Sequence, residues 1–319
     1  MSRFLLLVHG HHFKPAADTL RTLWIEAIRW GLLRDAPAAL DRFEPVQVEL
    51  AWFGDCTNRL LREVGQDFDE ALDVADRCNA LSALKQLDEA KKFRRARYEK
   101  LPGKTPLKEF LADAAAPLLN ALRLSERATG ALLPELAAYW SADGAYGSTV
   151  RARIREPLRA ALCRGDDVLV LSHCLGTVAV YDVLWELSRV ATAQDDTPAA
   201  KVNVWLTMGS PLGNETVKRR LAGADRPGAE RFPANVLNWF NVSAEDDYIA
   251  HDKSVADDYR AMLSSRLISR INDIAIYNLC VRYGRSNPHS SLGYLIHPRV
   301  TKLITTWLHA DELIPGRPA

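Results

Sequence analysis

Apolar and polar residues follow two rhythms along this chain. Six short apolar runs, rich in β-branched and aromatic residues and mostly bounded by Gly, Pro or Asp, read as strands: Arg3 to Val8, Val46 to Phe53, Asp167 to Ser172, Lys201 to Met208, Val236 to Val242 and Ile274 to Val281. Between them, apolar residues recur three and four positions apart over Ala16 to Leu33, Ser148 to Cys163, Leu175 to Val190 and Pro298 to His309, which predicts helices. Strands alternating with helical crossovers predict an α/β fold with a mostly parallel sheet flanked by helices.

The middle of the chain breaks this alternation. Between Asp55 and Asp143 no run reads as a strand. Leu60, Leu61, Val64, Phe68, Leu72, Val74, Leu107, Phe110, Leu111, Leu118, Leu119 and Leu122 instead lie among mixed charges at helical spacing. Residues 1–55 and 144–319 are therefore expected to form one core, and residues 56–143 a helical insertion or cap. Within it, Lys91 to Tyr98 is a basic run, read first as a solvated helix face and second as a grip for an anionic group. The segments Ala193 to Ala200 and Gly223 to Pro233 are polar or proline-containing and are expected to be surface loops.

Composition narrows the function classes. A net charge of +1 gives no excess to attract nucleic acid or an acidic membrane. The five cysteines are odd in number and lack paired spacing, so the reading is free thiols in a cytoplasmic protein. The apolar start Phe4 to Val8 is too short for a signal-peptide core, and no run reaches the roughly 18 apolar residues of a membrane span.

One run carries chemistry. Asp166 to Asp182 passes from strand to helix through Ser172-His173-Cys174-Leu175-Gly176, with small residues two positions either side of Cys174. This resembles the nucleophile elbow of the α/β-hydrolase superfamily, and of its lipase- and esterase-like bacterial members in particular. There a sharp strand-to-helix turn exposes the nucleophile at a helix N-terminus. The resemblance implies the α/β-hydrolase fold with a helical cap, and Cys174 at the nucleophile position. Ser172 replaces the usual first glycine and Cys174 the usual serine. A thiol needs less help to ionise than a hydroxyl. The cysteine is open to three origins: a native thiol nucleophile, a native change that silences the site, or a substitution for serine.

The same resemblance orders the partners as nucleophile, acid, base. After Cys174 the histidines are His251, His289, His297 and His309. His289 lies between the last strand and last helix, where the family keeps its base; His297, before Pro298, matches a structural position. Among Glu245, Asp246 and Asp247, the register of Asp247-Tyr248-Ile249-Ala250 favours Asp247 as the acid, with Asp246 second. The alternative is that these acids merely solvate a loop.

His9-Gly10 after the first strand resembles the family's oxyanion motif, implying backbone donors at Leu175 and His11. His9, His11 and His12 also raise a metal reading, set aside because no carboxylate or cysteine is near them in sequence. His173 is expected to pack beneath the elbow. Leu206 to Gly213 resembles the family's Gly-Ser-Pro segment, which shapes a pocket wall. The expected function is hydrolysis of a small-molecule ester or thioester through Cys174, His289 and Asp247, without cofactor or metal. The rivals are a catalytically silent binding module and an acyltransferase or thioesterase acting on carrier-linked acyl groups.

Overall fold

A computed structural model describes residues 2–103, 134–142, 144–189, 200–250 and 254–310. Its centre is a six-stranded, wholly parallel sheet of β1 (Arg3–Val8), β2 (Gln47–Ala51), β3 (Asp167–His173), β4 (Val202–Met208), β5 (Val236–Ala244) and β6 (Arg270–Ile276). The order across the sheet is β2-β1-β3-β4-β5-β6.

The strand period of two sorts side chains onto the two faces. Phe4, Leu6, Val8, Val168, Val170 and Trp205 enter one apolar core, while Leu5, Leu7, Leu169, Leu171 and Leu206 enter the other. On the first face lie α5 (Ala145–Arg164), through Val150, Ile154 and Leu158, and α6 (Leu175–Arg189), through Val178 and Val183. On the second lie α1 (Ala17–Asp35), through Leu20, Trp24 and Ile28, and α8 (Pro298–Leu308), through Val300 and Ile304. Burial on both faces is why these strands read as nearly continuous apolar runs.

Local chemistry sets the helix ends. Gly165 closes α5 in the left-handed conformation, with φ of 73°. His297 caps α8 by accepting the Arg299 N–H, and Pro298 follows in the first turn, where a missing N–H costs nothing.

The described part of residues 56–143 is helical. α2 (Gly54–Glu63) packs on α4 (Pro134–Trp140), and α3 (Glu70–Lys85) packs on α1 and on α7 (Ser291–Leu295). Ala80, Leu81 and Leu84 join the second core and Leu136 and Tyr139 the first, so these helices extend the layers beside the sheet. Leu107 to Leu122, and all but Ala200 of the expected loop Ala193 to Ala200, lie outside the described residues.

The last strand departs from expectation. β6 runs Arg270–Ile276, not Ile274 to Val281. Its early half was hidden because Asn272 and Asp273 are polar; Asp273 accepts from Asn241 of β5 at 2.9 Å. Its end comes early because Asn278 turns the chain away, donating to the Pro288 and Ser290 carbonyls at 2.8 and 2.9 Å.

Candidate functional site

The sheet order reverses between β1 and β3, so the loops leaving their carboxyl ends diverge and open a crevice, the usual ligand position in such sheets. Val8 pairs with Ser172, and Ser172 with Thr207. This register brings His9 to His12, Cys174 and Gly209 to one end of the sheet.

Between β3 and α6 the chain turns on a single residue. Cys174 has φ of 53°, a conformation that L residues other than Asn and Asp seldom adopt. Its surroundings hold it there. The Cys174 N–H donates to the Met208 carbonyl at 3.0 Å, and its own carbonyl accepts from the Thr177 N–H and hydroxyl at 2.9 and 2.6 Å. Gly10 lets the neighbouring loop pass, since a Cβ there would lie 2.5 Å from the Cys174 Cβ. Ser172 explains its own departure from glycine: its hydroxyl accepts the buried Trp205 indole N–H at 2.9 Å.

Two histidines, carried on different loops, come within 4.8 Å of the Cys174 sulfur. His289 arrives on the loop after β6, and its Nδ1 lies 2.9 Å from both carboxylate oxygens of Asp247. Asp247 is fixed in turn by the Tyr294 hydroxyl, which donates to it at 2.6 Å, and by the Ile249 N–H at 3.1 Å. Gly209, at φ of 56°, leaves room for the pair; a Cβ there would sit 2.9 Å from the Asp247 Oδ2. His173 lies beneath this arm and donates from Nε2 to the His289 carbonyl at 2.8 Å.

His11 arrives on the loop after β1, and its Nδ1 is 2.8 Å from the Cys174 Sγ. One nitrogen each of His11 and His289 and the Cys174 sulfur lie within 4.8 Å of one another. The rest of the β1 loop is braced from behind. His9 donates from Nδ1 to the Gly10 carbonyl and accepts the Phe53 N–H at Nε2, both at 3.0 Å. His12, at φ of 68°, donates its N–H to the buried Glu135 at 2.7 Å. Lys14 is buried, and its ammonium donates to the His11 carbonyl and, at 2.8 Å, to the His12 carbonyl; Asn58 clamps its backbone through bonds of 2.8 and 2.7 Å.

The two imidazoles differ in charge. Burial, the largest influence on His289, opposes protonation, but the Asp247 carboxylate and the anionic form of Cys174 outweigh it and hold the ring up at about 10. His11 has no such acid. Burial and the neighbouring His12, His289, Lys14 and His173 keep it well below the usual histidine value. Burial, helped by Arg77, also draws Lys14 down to about 7.

The sequence-selected residues therefore divide. Cys174, His289, Asp247 and His11 meet. Leu175 is the first residue of α6, where its N–H has no carbonyl four residues back to bind. Asp246 turns the other way, at φ of 61°, and accepts the Tyr98 hydroxyl at 2.7 Å. His297 caps α8, His309 bonds the Thr305 carbonyl from Nδ1, and His251 lies outside the described residues. The Gly209-Ser210-Pro211 segment flanks the site, with the Ser210 and Thr177 hydroxyls 2.8 Å apart. Sequence reasoning missed Lys14, Asn58, Glu135, Asn278 and Tyr294 as supports, and missed the His11 ring. For Tyr294 a signal existed: it stands in the same loop-to-helix motif that singled out His289. No protein-family model, curated protein or solved structure matches the chain.

Proposed function

We propose that this protein is an α/β-hydrolase that transfers the acyl group of an ester or thioester to water through Cys174. The observation that carries the reading is the line from Cys174, on its positive-φ turn, to His289 and on to Asp247. This is the nucleophile, base and acid arrangement of acyl transfer, in the chain order that the α/β-hydrolase resemblance implies.

In the proposed cycle the Cys174 thiolate attacks the acyl carbon and a carbon–sulfur bond forms. The carbonyl oxygen takes the electron pair and rests against the Leu175 and His11 backbone N–H groups, each donor worth about 3 kcal/mol. His289, protonated, delivers its Nε2 proton to the departing alkoxide or thiolate as that bond breaks. Asp247 keeps the opposite nitrogen protonated throughout, and Tyr294 keeps Asp247 in place. Water then gives a proton to His289 and attacks the acyl-cysteine, releasing the carboxylic acid and regenerating the thiolate–imidazolium pair. All five cysteines are free, and a working thiol suits a reducing compartment, so the reading assigns the protein to the cytoplasm.

The test compares the cysteine protein with Cys174→Ser, Cys174→Ala and His289→Ala on short and long acyl esters and thioesters. Hydrolysis by the cysteine form, reduced by roughly 10³-fold or more in both alanine variants, is the expected outcome. A cysteine form no faster than Cys174→Ala would remove the proposal.

A further inference from the structure

His11 has no step in that cycle beyond its backbone N–H, yet its ring is held against the Cys174 sulfur. We propose that His11, Cys174 and His289 together form a binding site for a borderline-soft divalent cation, zinc above all, whose arrival takes the thiol out of reaction. One sulfur and two imidazole nitrogens are the donor set that such ions prefer, and three protein ligands leave a fourth position for water.

The geometry is close to what the ion requires. Tetrahedral zinc, with metal–sulfur and metal–nitrogen bonds near 2.3 and 2.0 Å, separates its ligand atoms by about 3.3–3.6 Å. The three donor atoms here lie within 4.8 Å of one another, and His11 Nδ1 and Cys174 Sγ are 2.8 Å apart. That pair opens by less than about 1 Å to admit the metal, and the other two close by at most about 1.5 Å. Two further observations point the same way. His289 Nε2 is buried without a hydrogen-bond partner, while its Nδ1 is held by Asp247, which is itself held by Tyr294. A carboxylate behind a histidine in this manner fixes the tautomer that presents the other nitrogen to a metal. On the other side, Lys14 and Asn58 fix the β1 loop, so His11 is presented by a braced segment.

The sequence hides this site because its donors come from three distant segments. His9, His11 and His12 suggest a metal by proximity in the chain, but His9 is spent on Phe53 and the fold supplies Cys174 and His289 instead. As the ion binds, His289 gives up its Nε2 proton to solvent, the freed nitrogen joins the metal and the sulfur–metal bond forms. Because the ion holds both the thiol and the general base of the proposed cycle, occupancy and acyl transfer exclude each other. That exclusion rests on the reading above; the binding itself does not.

Cobalt(II) titration of the full chain provides the test, since a cobalt–thiolate bond gives an intense charge-transfer absorption and a tetrahedral site gives visible ligand-field bands. One equivalent is expected to develop both. The thiolate band should vanish in Cys174→Ala, affinity should fall at least tenfold in His11→Ala and His289→Ala, and His309→Ala should bind as the unaltered protein does. Asp247→Asn should weaken binding by about 10- to 100-fold. A measurement on the unaltered chain guards against misfolded variants: zinc should slow iodoacetamide alkylation of Cys174, followed on its own peptide by mass. Absence of the thiolate band, its persistence in Cys174→Ala, or alkylation indifferent to zinc would overturn the site. Acylation of chelator-treated protein is read separately, so a failed metal site and a failed acyl-transfer reading give different results.

Discussion

The two loops that meet at Cys174 carry the same side chain into the same buried space and give it opposite charge. On the loop after β6, His289 faces Asp247 and is held up at about 10; on the loop after β1, His11 has no acid and stays well below the usual value. Burial pushes both rings toward neutrality, so burial alone does not distinguish them. The difference begins with the Asp247 carboxylate, held by Tyr294 and the Ile249 N–H and joined by the anionic form of Cys174, while the neighbours of His11 are cationic or imidazole groups that lower it further. These anions outweigh desolvation of the His289 ring and leave a proton donor and a neutral ring beside the same sulfur.

The largest expected effect follows from making the two sides alike. Asp247→Asn removes the anion but keeps the size of the group, so His289 loses its charge and its orientation. Acylation of Cys174 by an aryl ester, followed by stopped flow, should slow by roughly 10³- to 10⁴-fold. A change under tenfold would mean that the carboxylate does not set the difference.

Loosening the other side should act on stability first. Lys14→Met keeps the buried stem and withdraws the ammonium from the His11 and His12 carbonyls. Leaving those acceptors unmet should cost about 1–3 kcal/mol in urea unfolding, with metal affinity at His11 falling as the loop relaxes. A smaller change is expected from Tyr294→Phe, which leaves Asp247 present but less firmly held. Acylation should slow by about tenfold, one charge-assisted hydrogen bond's worth.

A third buried imidazole sharpens the contrast without touching the site. His297 also lacks a carboxylate, and burial, with Arg34 and Arg299, lowers it to about 3. The unfolded chain binds a proton there near 6.5 while the folded chain does not. Its contribution is therefore whole above about 6.5 and is lost as pH falls toward 3. His297→Asn, which preserves a helix-capping side chain, should flatten the stability–pH curve in that window by up to about 1.4 kcal/mol per pH unit.

The legibility of these features in the sequence follows their range. The strands other than β6, the crossover helices and the turn around Cys174 rest on short-range patterns and were readable before the fold. So was the segment carrying His289, because chain order and a local motif locate it. The register of the acidic run already favoured Asp247 over Asp246; the fold adds the physical reason, since the two adjacent residues point oppositely, Asp247 to His289 and Asp246 to Tyr98. The same holds for Lys14 and Asn58, joined across 44 residues, and for the His11 ring, which meets a sulfur 163 residues away. The family resemblance pointed to the His11 backbone and said nothing about where its ring would go. The early half of β6 was obscured because an edge strand can afford Asn272 and Asp273.

The proposed chemistry comes down to a covalent bond at one sulfur. Chelator-treated protein should be mixed with a short-chain aryl ester, quenched in acid within the first turnover, and examined by intact and peptide mass. The expected result is one acyl group per chain, confined to the peptide bearing Cys174, absent in His289→Ala and lost on further incubation as acid is released. An unmodified Cys174, or acyl groups spread over the exposed Cys78 and Cys163 with Cys174 bare, would contradict it.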